Sequence, residues 1–117
     1  MISRGRRSAA ALAVVRSQPA PKAHVSPEPP AHLGGPERDL WAAIFADFDL
    51  DTRAAVAVLR TALEAHMRAR ECREVIERDG LTVEGRDGQV KVHPLVAAER
   101  DARAAWLQSI KVLGLEL

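Results

Sequence analysis

The feature that most restricts the fold of this chain is a proline-rich stretch near the N-terminus. Residues 17–36 read SQPAPKAHVSPEPPAHLGGP and hold six of the seven prolines in the 117-residue sequence. Proline lacks a backbone N–H and favours extended segments, so a stretch of this composition cannot form a packed core. The pattern predicts a folded part over residues 36–117 and an arm over residues 1–35. We expect the arm to be largely disordered, with at most a short helix at residues 8–16.

Basic side chains are concentrated in this arm. Residues 1–35 contain five basic side chains and one acidic side chain, whereas residues 36–117 contain 12 basic and 15 acidic ones. A basic arm on a mildly acidic body indicates a nucleic acid or another anionic surface as the partner of the arm, although short basic arms also serve as solubilising tails.

Three helices are predicted in the folded part by the helical spacing of apolar side chains. We expect them at residues 36–46, 52–78 and 94–113. Pro36 at the first helical position favours the first start, and Trp41 on the apolar face of that helix is interpreted as a core anchor. With the hairpin described below, the pattern predicts a mainly α domain of two antiparallel helices, one short β-hairpin and a C-terminal helix.

Local signals also predict where the later helices begin. Asp51 is the expected N-cap of the long second helix, because its side chain can accept from free backbone N–H groups. Pro94 biases His93 toward an extended conformation and then opens the last helix. Trp106 is placed on the inner face of this helix, whereas the charged run at residues 99–103 is placed on its outer side.

A β-hairpin is predicted at residues 81–92, between the second and third helices. Two short runs alternate apolar and polar side chains around the turn sequence Gly85-Arg86-Asp87-Gly88. An isolated two-stranded hairpin is marginal in water, so this one must pack on the helices or on another copy of the chain. Structural or oligomerisation roles are therefore assigned to Trp41, Leu81, Val83, Val90, Val92, His93, Pro94 and Trp106.

Signals for catalysis, metal binding or cofactor binding are missing from the sequence. The four histidines lack the spacing of a helical metal site, and no phosphate loop or nucleophile elbow occurs. The three alternating aspartates of residues 47–51 fail the calcium-loop pattern, because its glycine and glutamate positions hold threonine and valine. The single cysteine, Cys72, excludes a disulfide framework. We expect a protein that is not an enzyme and that uses no cofactor and no metal.

The location of the protein is predicted from what the chain lacks. No apolar run approaches the roughly 20 residues of a membrane span. The start MISRGRRSAAALAVVR places basic residues before an apolar run but has no clean small-residue cleavage site. We expect an uncleaved cytoplasmic protein without a membrane partner.

The order of these features resembles the small subunit of phage terminases. The shared order is a basic start, a Pro-rich linker, a helix with a tryptophan, a long helix, a hairpin and a last helix. The segments that carry the resemblance are Pro29-Pro30-Ala31-His32-Leu33, Gly80-Leu81-Thr82-Val83 and Val90-Lys91-Val92-His93-Pro94. Each segment is weak alone, whereas their joint order is specific and covers most of the chain. The sequence stops three residues after Gly114, where relatives often continue, which leaves the contact with a large subunit open.

The resemblance implies a role in packaging double-stranded viral DNA inside a bacterial host cell. Small terminase subunits form rings of many copies, recognise the viral genome and regulate a separate large subunit that holds the ATPase and the nuclease. In such a ring the hairpin would pack across a subunit boundary and fix the register between neighbours. The implied partners are thus viral DNA, the terminase large subunit and other copies of the chain.

The predicted contacts to DNA are contacts to phosphates, because mobile cations release counterions whatever the base sequence. The residues assigned to this role are Arg4, Arg6, Arg7, Arg16, Lys22 and Arg53. Only Thr52 and Arg53 at the start of the long helix are offered to base edges, which favours phosphate or shape reading. Two alternatives stay open: a dimeric helix-turn-helix regulator, and a protein-interaction module whose basic arm is only a tail.

Overall fold

The computed structural model describes residues 26–117, which form three helices and one β-hairpin. In chain order the elements are α1 (Gly35–Asp47), α2 (Arg53–Asp79), β1 (Thr82–Glu84), β2 (Val90–Val92) and α3 (Leu95–Leu113). The predicted mainly α fold with a hairpin before the last helix is confirmed. The expected short helix at residues 8–16 lies outside the described residues. Within residues 26–117, no helix combines the length and the apolar character that crossing a membrane requires.

The segment before α1 packs against the helices. Leu33 is buried in the core, and its N–H donates to the carbonyl oxygen of Pro30 at 3.2 Å. The indole N–H of Trp41 donates to the carbonyl oxygen of Pro27 at 2.8 Å, and the Arg38 guanidinium donates to that of Pro30 at 3.1 Å. Packing therefore begins before the predicted start of the folded part, because side chains of α1 satisfy the carbonyl groups of the proline-rich segment.

Helix α2 begins one residue later than the prediction, and its N-cap is Thr52. The Thr52 hydroxyl accepts from the backbone N–H of Ala55 at 3.0 Å, while Thr52 itself is extended. The prediction that Asp51 is the N-cap is wrong. A capping side chain accepts from the backbone N–H two or three residues after it, and Thr52 makes this contact with Ala55. The last residue of the helix is Asp79, and Gly80 follows as its C-cap. Gly80 has a φ of 94°, which glycine adopts without strain, and its N–H donates to the Ile76 carbonyl oxygen.

The hairpin forms around the predicted turn sequence, but five residues, 85–89, connect the strands, one more than the predicted four. Its strands are antiparallel, and Val83 lies opposite Lys91 in the register. The N–H of Gly85 donates to the carbonyl oxygen of Gln89 at 2.7 Å, and Gly88 has a φ of 80°, which favours glycine. The N–H of His93 donates to the Leu81 carbonyl oxygen at 2.7 Å and closes the base of the hairpin.

Helices α2 and α3 lie side by side and run antiparallel. Contacts join the end of α2 to His93, just before α3, and earlier residues of α2 to successively later residues of α3. In order along α2, from its end backward, they are Asp79–His93, Arg73–Glu99 and His66–Trp106. Helix α1 packs over the earlier part of α2 and completes the core. The buried cluster there comprises Leu33, Trp41, Ile44, Leu59, Leu63 and Leu113.

Candidate functional site

Of the six cations predicted to contact DNA, one lies in the described part of the chain. Arg53 is exposed at the first residue of α2. Arg4, Arg6, Arg7, Arg16 and Lys22 lie outside the described residues.

A row of cations follows one side of α2. Arg53, Arg60 and Arg68 are exposed, and helical periodicity places them within about one-quarter turn of one another. The three arginines, termed the α2 cation row below, span about 22 Å along the helix. None of them lies within 4.0 Å of a carboxylate of residues 26–117. Glu64, which lies between Arg60 and Arg68 on this side, contacts His32 instead, at 2.8 Å.

The most buried charged group of the described residues is Glu37 in α1. Its side chain is fully buried, and its two carboxylate oxygens accept from Arg70 Nε at 3.0 Å and Arg70 Nη2 at 2.7 Å. His66 Nδ1 donates to the same carboxylate at 2.6 Å, and the ring of His66 meets Trp106 edge-on. The Glu37 carboxylate thus joins α1 to α2, and the ring of His66 extends this Glu37 cluster to α3.

Electrostatics favour the ionised form of Glu37. Burial raises the pKa of the carboxyl, but the hydrogen bonds from Arg70 and His66 and the charge of Arg70 outweigh it, so the pKa lies below its ordinary value of 4.5. The Glu37 carboxylate in turn raises the pKa of Arg70. A Cβ atom on Gly34 would lie 2.5 Å from Arg70 Nη2, so the pinned guanidinium requires glycine at this position.

Helical spacing alone did not reveal this cluster. Glu37 reads in the sequence as an acidic residue that favours a helix start, and Arg70 reads as part of a solvated charged face. Their contact joins positions 33 residues apart, which no local pattern reports. The two adjacent glycines before Pro36 are the one available signal, because they permit a close approach of the backbone.

Glu99 corrects another prediction. The sequence predicts that the charged run at residues 99–103 lies on the outer side of the last helix, yet Glu99 is buried against α2. Its carboxylate bonds Arg103 one turn later in the same helix and lies 3.7 Å from Arg73 of α2. The charge is tolerated at the helix interface because two arginines reach it there.

His93 fastens the hairpin to both long helices. The ring is buried; its Nδ1 accepts from the N–H of Leu95 at 3.0 Å, and its Nε2 donates to Asp79 at 3.0 Å. Because Nδ1 must accept, this arrangement uses the neutral ring. The hydrogen bond from His93 holds the pKa of Asp79 below its ordinary value. Helix α3 begins at Leu95, one residue later than predicted, and Pro94 is its N-cap residue and not its first residue. His93 lies directly before this cap.

The hairpin itself presents aliphatic side chains to solvent. Val90 is 73% exposed and Val92 is 65% exposed on one face, whereas Val83 on the other face is half-buried. Leu81, just before β1, is 67% exposed. Trp41 lies in the core as expected, and Trp106 is half-buried against His66. One face of the hairpin therefore lacks packing within residues 26–117.

The described part of the chain shows no candidate metal-binding site. Residues 26–117 contain no group of three or more His, Cys, Asp or Glu side chains arranged to hold a metal ion. Cys72 is buried and unpaired by a disulfide there. The candidate functional surfaces are therefore the α2 cation row and the exposed face of the hairpin.

Acid should weaken the fold through Glu37 and Asp79. Both carboxyl groups have a lowered pKa in the folded chain, so their stabilisation is complete above their ordinary values of 4.5 and 3.8 and is lost as the pH falls through the lower, folded values. We expect the free energy of unfolding, measured with urea, to decrease steadily below pH 4.5. Glu37→Gln should flatten this decrease, and an unchanged slope would contradict the role given to Glu37.

Comparison with known protein families gives a match that covers most of the folded part. The family model described as phage terminase, small subunit, matches residues 38–116. No curated protein and no solved structure matches the chain. The matched region runs from α1 through the hairpin and α3, and so includes the Glu37 partners, the α2 cation row and the exposed hairpin face. The chain therefore belongs to the phage terminase small-subunit family, as the order of its sequence features predicts.

Proposed function

We propose that this chain is the non-catalytic, DNA-recognising subunit of a terminase that packages double-stranded viral DNA. It acts in the cytoplasm of the bacterial host with a separate large subunit that supplies the ATPase and the nuclease. Family membership supports the packaging role. The α2 cation row is the observation that supports DNA binding by the folded part of the chain.

The row has the properties of a phosphate-binding surface. Its arginines are exposed and have no carboxylate partner among residues 26–117, so binding DNA breaks no ion pair there. Other arginines of α2 are engaged, since Arg70 binds Glu37 and Arg78 contacts Asp79 at 3.3 Å. Cations on a rigid helix neutralise phosphates and release counterions without reading the base sequence.

Base reading by the start of α2 is less favoured. The Thr52 hydroxyl accepts from the Ala55 N–H and is occupied as a helix cap. Asp47 at the end of α1 and Asp49 and Asp51 in the following loop are all exposed, and these carboxylates repel phosphates near Arg53. Arg60 and Arg68 lie farther along the helix, where the carboxylate between them, that of Glu64, is bonded to His32, and they are the stronger phosphate ligands. This arrangement gives no support to the helix-turn-helix regulator considered above.

Assembly into a ring would strengthen such weak contacts. Each copy contributes only a few cations, and linked copies bind one DNA molecule with a much higher apparent affinity than single copies. The exposed face of the hairpin supports assembly, because two-stranded hairpins with exposed aliphatic side chains gain stability from a partner. The arginine arm of residues 1–35 would add further phosphate contacts.

The salt dependence of DNA binding tests this proposal. The logarithm of the affinity for a duplex fragment should fall linearly with the logarithm of the salt concentration. Replacing Arg60 and Arg68 with glutamine should lower the slope by about 0.9 for each phosphate that a bound copy no longer neutralises. Replacing Arg4, Arg6 and Arg7 with glutamine should lower it again, because the arm is predicted to bind phosphates as well.

The matched control removes the same charge elsewhere. Arg78→Gln with Arg100→Gln also deletes two exposed arginines, but each of these contacts an adjacent aspartate. We expect little change in the salt slope for this pair, measured by fluorescence anisotropy at several salt concentrations. An equal decrease for both pairs would show a general charge effect and not a site. Absence of salt-dependent binding in the unmodified protein would favour the interaction module.

A further inference from the structure

Two separate aliphatic surfaces are exposed on the described part of the chain. The hairpin surface consists of Val90 and Val92, which lie on the same face of β2. The α3 surface lies on the side of α3 away from α2 and consists of Ala104, Leu107 and Val112. Leu107 is 58% exposed and Val112 is 51% exposed, although both belong to a helix whose other side is packed.

We propose that these two surfaces bind each other between copies of the chain, with the hairpin surface of one copy on the α3 surface of the next. The inference rests on the proposed function, because it specifies how the copies of a ring-forming subunit meet. The partner is thus a second copy of this chain, and the contact is head to tail.

The two surfaces cannot meet within one copy. His93 fastens the base of the hairpin to the start of α3 through its bonds to Asp79 and to the Leu95 N–H. From Leu95 to Leu107 the helix rises about 18 Å, and to Val112 about 25 Å. The strands are only three residues long, so the hairpin cannot fold back over that distance. Each surface therefore needs a partner from outside its own chain.

Charge favours the head-to-tail contact over a contact of like surfaces. Glu84 lies directly opposite Val90 across the strands, so its carboxylate flanks the hairpin surface. Lys111 is exposed between Leu107 and Val112 on α3. A head-to-tail contact brings this carboxylate and this ammonium group together. A two-fold contact would instead place two glutamates, or two lysines, close to each other.

Symmetry gives a second reason for the same choice. A two-fold contact through the hairpin would cover the hairpin surface and leave the α3 surface in water. One head-to-tail contact type covers both surfaces on every copy, and its repetition around a rotation axis closes a ring. The single contact thus accounts for both sets of exposed aliphatic side chains.

Two complementary variants test the contact. The hairpin variant carries Val90→Lys and Val92→Lys, and the α3 variant carries Leu107→Lys and Val112→Lys. All four positions are exposed, so each variant should keep its fold, which circular dichroism and thermal unfolding check. We expect the unmodified protein to form an assembly of many copies and each variant alone to have the mass of one chain, 12.7 kDa.

Mixing the two variants is the decisive step. Each mixed pair retains one intact hairpin surface and one intact α3 surface, so a head-to-tail contact gives dimers of twice the single-chain mass and nothing larger. Light scattering measures this mass. A mixture that stays monomeric, or a variant that alone keeps the full assembly, would overturn this head-to-tail contact. Neither result would contradict the proposal that the unmodified protein forms a ring. A monomeric unmodified protein would instead defeat the assembly part of the proposed function.

Cross-linking gives an answer even if a lysine variant fails to fold. Val90→Cys and Val112→Cys are made separately, and Cys72 is buried and protected from the reagent in the native protein. A short bismaleimide should join the two variants when they are mixed and should join neither variant to itself. Self-linking of Val90→Cys would show a two-fold hairpin contact, and the proposal would then be wrong.

Discussion

Glu37→Gln should lower the free energy of unfolding by about 3 kcal/mol, because it breaks a buried ion pair and leaves one partner behind. Both carboxylate oxygens accept hydrogen bonds, two from Arg70 and one from His66. The glutamine NH₂ group is a donor and must face at least one of these donors. The estimate lies at the lower end of the range for buried pairs, because Arg70 is 23% exposed and part of its charge stays hydrated.

Glu74→Gln provides the control for this substitution. Glu74 contacts the same guanidinium at 3.2 Å, one helical turn along α2, but its side chain is 60% exposed. Exposed pairs of this spacing contribute about 0.3–0.5 kcal/mol, so the destabilisation should be several times smaller than for Glu37. Urea unfolding at one fixed protein concentration measures both, since assembly makes stability depend on concentration. Equal destabilisation by the two substitutions would show that Glu37 acts only as a surface charge.

The elements that the sequence predicts well are those defined by neighbouring residues. Helix α2 follows from a regular apolar spacing and a glycine at its end, and the hairpin turn follows from Gly85 and Gly88. These signals act within a few residues, so they are visible in the chain before it folds. The one-residue error at the start of α2 arose because Asp51 and Thr52 are both good capping residues and sequence alone does not choose between them.

Contacts between distant residues were missed for a different reason. Glu37 and Glu99 are charged, and a charged residue on a helix is expected to face solvent unless a partner reaches it. Their partners, Arg70 and Arg73, lie on a different helix, and only the packing of three helices brings them together. Burial of a charge therefore depends on tertiary geometry, which helical periodicity does not describe.

The two candidate functional surfaces also differ in how far the sequence predicts them. The sequence already indicates that a two-stranded hairpin needs a partner to pack against. The exposed valines of this hairpin agree with that expectation. The α2 cation row does not follow from the sequence, because Glu64 lies four residues from both Arg60 and Arg68 and could pair with either. The structure separates the arginines that have carboxylate partners from those that have none among residues 26–117.

Leu33→Ala should destabilise the chain by about 2–3 kcal/mol, because the substitution removes a buried side chain from a packed core. Leu33 is 4% exposed and packs with the cluster that contains Trp41, Leu59 and Leu113. The composition of the sequence predicts that Leu33 belongs to a largely disordered, proline-rich arm. In such an arm the same substitution would have almost no effect on the free energy of unfolding. The measurement therefore decides where the cooperative unit begins. Urea unfolding is again suitable, with the midpoint and the slope of the transition compared with those of the unmodified protein.

Leu117→Ala is the matched control, because it deletes the same atoms from a side chain that is 66% exposed. We expect its effect to stay within about 0.5 kcal/mol. If Leu33→Ala were equally mild, the segment before α1 would be separate from the core, and the hydrogen bond from Trp41 to the Pro27 carbonyl would not hold it there. A clear destabilisation would instead mean that the segment following the basic arm is part of the core beside α1. The arm would then be attached at a fixed position on each copy, close to the folded helices.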